Sequence, residues 1–160
     1  MSETKTSVER KSDLELVVKR TVNAPASVVF EAWTNSEIFK KWWVPKSYGL
    51  NLVACEMDVR VGGQYRLTFL HEGSTMDFFG TYIEVVPHSR LVWTNDEGDA
   101  GQTVTTVTFS EVGGRTNVAV SNLYPTKEAL EADGSTGALP ETLDQLEELL
   151  SSMGNGTEAK

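Results

Sequence analysis

Leu14, Leu16, Val18 and Arg20 alternate with Glu15, Val17, Lys19 and Thr21, and this period of two predicts a first strand with one buried face. Asn23-Ala24-Pro25 turns the chain. Val29, Phe30 and Trp33 then recur at helical spacing, predicting a short helix from Ala26, with Pro25 at or before its first turn. Thr34-Asn35-Ser36 interrupts, and Asn35 or Ser36 is placed to cap a second short helix with the apolar stripe Ile38, Phe39, Trp42 and Trp43. The pattern then returns to strands over residues 50–58, 64–71, 76–86, 90–94, 103–110 and 115–123. Gly62-Gly63, Glu72-Gly73-Ser74, Pro87-His88-Ser89 and Gly113-Gly114 break or turn these runs, and Gly80 inside its strand marks a bend or the close approach of another element. Short connections make the sheet antiparallel.

The period changes again near the end. Leu139, Leu143, Leu146 and Leu150 fall at steps of four, three and four, one face of a long amphipathic helix over about 137–152. Pro140 is expected in its first turn or at a kink, and Gly154 and Gly156 are expected to end it. Residues 1–12 are polar and expected to lack structure, residues 13–152 to form one domain, and residues 153–160 a flexible tail. The predicted architecture is α+β. A curved antiparallel sheet of six to seven strands grips the long helix on its concave face, and the two short helices plug one end. Such an arrangement encloses a cavity.

Composition narrows the function classes. A chain of 160 residues with 39% hydrophobic and 9% aromatic content supports one packed core. A net charge of -9 disfavours nucleic acid and anionic membrane surfaces as partners. No segment approaches the length of a membrane helix, and the first 13 residues lack the apolar core of a secretory signal. The single Cys55 rules out an intrachain disulfide and fits a reducing, cytoplasmic setting. Two histidines and one cysteine, far apart in sequence, give no metal-ligand spacing, and no cofactor is expected. The C-terminal acidic residues, Glu141, Asp144, Glu147 and Glu148 among them, read as the wet face of the helix.

The chain resembles the START-like or SRPBCC superfamily of helix-grip fold, in the AHSA-type branch of homologues of the activator of heat-shock-protein-90 ATPase. The residues that carry this are Arg20 with Ala24-Pro25, Phe30-Glu31-Ala32-Trp33-Thr34, Lys41-Trp42-Trp43 with Pro45, Val61-Gly62-Gly63 with Tyr65-Arg66, Gly80-Thr81-Tyr82 with Val86-Pro87 and Arg90-Leu91, and Leu143 with Leu146 and Leu150. The resemblance spans residues 13–152. It implies a ligand cavity, and its members range over lipid binders, cyclases, aromatic-compound proteins and chaperone activators. Members often carry a histidine or tryptophan near the start of the last helix, where this chain has Gly137-Ala138-Leu139-Pro140.

Candidate cavity residues are Trp33, Trp42, Trp43, Tyr65, Phe69, Phe79, Tyr82, Trp93, Leu143 and Leu146. Aromatic residues are more often core than contact, whereas the resemblance puts Trp42 and Trp43 near the pocket mouth, where the two readings balance. Arg20 shares the parity of Leu14, Leu16 and Val18; if that parity faces inward, it needs a carboxylate partner in a structural ion pair, for which Glu31 and Glu84 are candidates. Arg66 falls on the outer parity and reads as a surface residue. His71 and Asp77 flank one hairpin and could pair as acid and base, although solvated polar residues are normal there. Cys55 has no activating neighbour in sequence, and Gly62-Gly63 lacks the lysine and following helix of a phosphate loop. No catalytic constellation emerges.

The leading reading is therefore a module that binds a small apolar or aromatic molecule, as a monomer or homodimer. The alternatives are an interaction protein like the chaperone-ATPase activators, with a protein partner and a role in the stress response, and an enzyme like the polyketide cyclases. The enzyme would draw on Arg20, Tyr65, His71, Asp77 and Tyr82.

Overall fold

The computed structural model describes the backbone of residues 6–44, 51–95, 102–132 and 135–158, and the side chains of these apart from 132–139 and 153–158. Eight strands form one antiparallel sheet: β1 (Ser7–Arg10), β2 (Glu15–Val22), β3 (Asn51–Met57), β4 (Gln64–His71), β5 (Ser74–Val86), β6 (Arg90–Asn95), β7 (Thr103–Val112) and β8 (Arg115–Leu123). Their order is β1-β2-β8-β7-β6-β5-β4-β3. After β2 the chain crosses to the far edge through α1 (Ala26–Thr34) and α2 (Ser36–Trp42), then returns strand by strand to β8. Helices α3 (Lys127–Ala132) and α4 (Ser135–Glu158) follow. This is the helix-grip arrangement, with the sheet's inner face toward α1, α2 and α4.

The sequence explains the turns. Glu72-Gly73 and Gly113-Gly114 each supply two consecutive residues with positive φ, the geometry of a two-residue hairpin that matches the strand twist. They close the pairs His71↔Ser74 and Val112↔Arg115. Asn35 caps α2, its side chain accepting from the backbone N–H groups of Glu37 and Ile38. Gly80 is required by contact rather than by dihedral. A Cβ there would lie 1.7 Å from the Thr94 carbonyl oxygen, so β6 crosses against bare backbone.

Three expectations need correction. The polar segment 1–12 contributes β1, which pairs with β2 from Ser7↔Lys19 to Arg10↔Leu16. A wholly exposed edge strand carries no buried face, so it leaves no hydrophobic period to read, and its charged residues suit an edge. Helix α4 begins at Ser135, placing Pro140 beyond its first turn, and it runs past Gly154 and Gly156 to Glu158. A glycine costs a helix about 1 kcal/mol, a bias that does not stop one already propagating. Helix α3 was not expected. Its start is set by Thr126, whose hydroxyl accepts from the Ala129 N–H.

The core lies between the sheet and the helices. Leu143, Leu146 and Leu150 are buried in it with Val18, Val22, Val29, Trp33 and Trp42. Helix α4 packs against β2, α1 and α2, while α2 also reaches β3 at the far edge of the sheet. The side chain of Leu139 lies outside the described residues.

Candidate ligand-binding face

Helices α1 and α2 hold a tight aromatic cluster. The Trp33 and Trp42 rings meet edge to face at 4.8 Å, and Trp43 stacks on Phe39 at 4.7 Å. Trp42 donates its indole N–H to the Ala32 carbonyl at 3.0 Å. Gln145 of α4 reaches into the same corner and donates to the carbonyls of Trp42 and Val44 at 3.0 and 2.8 Å. It satisfies acceptors that the end of α2 would otherwise leave open. Trp43 alone among the tryptophans is only half-buried.

The cluster continues onto the sheet. Trp93 of β6 stands 6.0 Å from Trp33, 6.2 Å from Tyr82 and 6.5 Å from Tyr65. Phe69 of β4 lies 5.3 Å from Phe78 of β5. Rings thus run along the inner face from α1 toward the β3–β5 wing. A polar strip borders them. Tyr65 Oη lies 2.8 Å from both the Thr94 carbonyl and Asn95 Oδ1, Asn95 Nδ2 donates to Thr105 Oγ1, and Thr105 donates to Asn122 Oδ1 at 2.7 Å. This network ties β4, β6, β7 and β8 together beneath the rings.

Of the ten sequence-predicted residues, Trp33, Trp42, Trp43, Tyr65, Phe69, Tyr82, Trp93, Leu143 and Leu146 lie on the inner side. Phe79 does not. It pairs with Arg66 in the β4–β5 register, and the Arg66 guanidinium sits 5.3 Å over its ring on the outer face. Alternation along β5 sends Tyr82, Gly80, Phe78 and Met76 inward together, so the inner positions are Phe78 and Met76, opposite Leu67 and Phe69. Counting back from Tyr82 in steps of two finds both.

That wing is only partly covered. Met76 is 42% exposed and Phe78 37%. Leu52, Cys55 and Met57 of β3 share the inner register and are partly buried. Burial pushes the Cys55 thiol up from 9.0 to about 11, with Lys40 opposing and Glu37 adding to the shift. Its sulfur lies 3.5 Å from Met57 Sδ. Burial likewise raises Tyr82. Both groups are neutral at physiological pH.

The charged candidates sit elsewhere. Arg20 is buried and does find carboxylates, but they come from α4. Asp144 and Glu147 bind its guanidinium, and Thr6 Oγ1 accepts at 2.9 Å. Glu84 instead pairs with Arg90, and Glu31 is exposed. Arg20, Asp144, Glu147, Glu148, Ser151 and Ser152 line an open groove beside α4. His71 and Asp77 are not joined: Asp77 accepts from Arg66 and Thr68 at 2.8 Å, while His71 Nε2 lies 3.7 Å from Glu72. Among the described residues no three His, Cys, Asp or Glu side chains cluster to hold a metal, and no helix is long and apolar enough to cross a membrane.

The family model for Activator of Hsp90 ATPase homolog 1-like protein matches residues 23–151. The chain belongs to that family. Solved structures agree over almost the whole length. A Nitrosomonas europaea protein is 26% identical, with TM-score 0.80 over 91% of this chain and 99% of its own. A Rhodobacter sphaeroides protein at 22% identity reaches TM-score 0.84 over 92% and 99%. An AHSA1-like protein from Aeromonas hydrophila, 20% identical, superposes with TM-score 0.70 over 85% and 94%. The latter two share the fold. No curated protein matches the chain.

Proposed function

We propose that this AHSA1-like domain binds a small apolar or aromatic molecule against the inner face of its β3–β5 wing. One observation carries the reading. The inner face of β5 is apolar, and although α2 reaches β3 and the inner residues Tyr65, Leu67 and Phe69 of β4 are buried, Met76 and Phe78 stay in contact with solvent. Exposed apolar surface that adjoins a packed aromatic cluster is where a ligand gains burial without unfolding anything. Each buried methylene contributes about 0.8 kcal/mol, so a ligand covering both residues and extending toward Tyr82 reaches micromolar affinity after ordering costs.

The test is titration with Nile red, a neutral solvatochromic dye, followed by its emission and by tryptophan fluorescence. Saturable binding, a raised melting temperature and competition by unlabelled aromatic compounds support the reading. Absence of all three removes it and favours a protein-interaction role for the domain.

A further inference from the structure

Three buried polar atoms lack a partner among the described residues: Trp33 Nε1, His71 Nδ1 and Arg115 Nε. His71 and Arg115 belong to side chains that also reach solvent. Trp33 does not, being 1% exposed in the middle of the aromatic cluster. Indole nitrogen can only donate, so this N–H needs an acceptor. A buried donor without one is destabilising, and native interiors seldom keep such groups without a reason.

The surroundings restrict what the acceptor can be. Trp33 stands at one end of the ring track that leads through Trp93 to Tyr82 and Tyr65. Arg20 is the only buried cation among the described residues, and Asp144 and Glu147 already neutralise it. An anionic ligand would therefore enter without a counter-ion, at a large desolvation cost. Trp43, 5.6 Å from Trp33, is the half-buried member of the four-tryptophan cluster.

Building on the binding role proposed above, we infer that the ligand is a neutral, largely aromatic molecule bearing a carbonyl or ether oxygen, and that this oxygen accepts the hydrogen bond of Trp33 Nε1. Its apolar body lies along the ring track toward Met76 and Phe78.

The experiment titrates 15N-labelled protein with fluorenone, fluorene and fluorene-9-carboxylate, three probes on one ring skeleton. The Trp33 indole resonance is assigned with Trp33→Phe. Fluorenone is expected to bind about tenfold more tightly than fluorene, one hydrogen bond's worth of selectivity. It should move the Trp33 indole proton downfield, and the carboxylate should bind weakest. In Trp33→Phe the two neutral probes should bind alike. If that variant fails to fold, the wild-type shifts and affinities still decide. Equal affinity for fluorene and fluorenone overturns the inference while leaving the binding role standing. So does a Trp33 proton that stays upfield and fixed while other indoles respond, because the N–H is then engaged by the face of a neighbouring ring. If none of the three probes binds, the binding role falls and the inference falls with it.

Discussion

Arg20 of β2 and Glu147 of α4 lie 127 residues apart and meet through two guanidinium nitrogens, Nε at 3.1 Å and Nη2 at 3.0 Å from Glu147 Oε1. The second carboxylate oxygen of Glu147 accepts from the Asn23 backbone N–H at 2.8 Å. One side chain therefore pins the final helix to the first long strand and to the turn that launches α1. The Arg20 side chain is 7% exposed and that of Glu147 20%, so this pair is shielded. Asp144, at 65%, is the solvated partner.

Removing Glu147 should hurt more than removing Arg20. Glu147→Ala leaves a buried guanidinium with one exposed carboxylate and should cost about 2 kcal/mol, lowering the melting temperature by roughly 4–8 °C. Arg20→Met keeps the apolar stem and frees both carboxylates to reach water, so it should cost about half as much. Urea titration of both variants checks the order, and a larger loss in Arg20→Met contradicts it.

Gly80→Ala tests the crossing of β5 and β6. The added methyl would meet Thr94 backbone, which cannot rotate away. The expected loss is about 3 kcal/mol or more, at the upper end for overpacking. A urea midpoint within experimental error of wild type would mean that the strands are not this close.

Gln145→Met should loosen α2 selectively. The substitution preserves length but leaves the Trp42 and Val44 carbonyls without their donor. The predicted cost is about 2 kcal/mol. It should appear first as faster amide exchange in α2, with exchange in β7 and β8 unchanged.

Much of the fold was legible because its periods are clean. Strand alternation in β2, helical spacing in α1 and the leucine stripe of α4 each follow from one buried face. The errors fall where no such face exists or where parity slipped. The exposed strand β1 gave no apolar signal. Phe79 is an aromatic beside the cavity candidates in sequence, but the parity of Gly80 and Tyr82 makes Phe78 the inward neighbour. Arg20 could be recognised as a charge needing a partner, but Asp144 and Glu147 look like ordinary wet-face acids of a helix until the packing angle of α4 is known. Gln145 was equally silent: nothing local says that a glutamine beside the leucine stripe caps another helix.

Cys55 gives a pH-dependent prediction. Its thiol is raised to about 11 in the folded protein, chiefly by burial, so the folded state holds the proton more tightly than the unfolded chain. Its contribution is therefore complete below pH 9, declines as pH rises from 9 toward 11, and is gone above that. Stability of wild type should fall more steeply across that window than stability of Cys55→Ala. Thiol labelling of the native protein should be slow at pH 8 and accelerate only near pH 11. Fast labelling at pH 8 would show that the sulfur is not buried as described.

Phe78 and Phe79 are adjacent, equal in chemistry and opposite in face, so substituting each in turn separates ligand contact from general loss of apolar surface. Phe78 is 37% exposed on the inner wing, so Phe78→Ser should cost little stability, about 1 kcal/mol. It should nonetheless weaken Nile red binding by about tenfold, because the dye loses an aromatic wall. Phe79→Ser removes the ring beneath the Arg66 guanidinium on the outer face, at a similar cost of about 1 kcal/mol. It should leave dye affinity unchanged. Urea titration of both variants checks that their stability losses match, in which case a difference in binding cannot come from partial unfolding. Equal weakening in both, or greater weakening in Phe79→Ser, would place the dye on the outer face and remove the β3–β5 wing as the site.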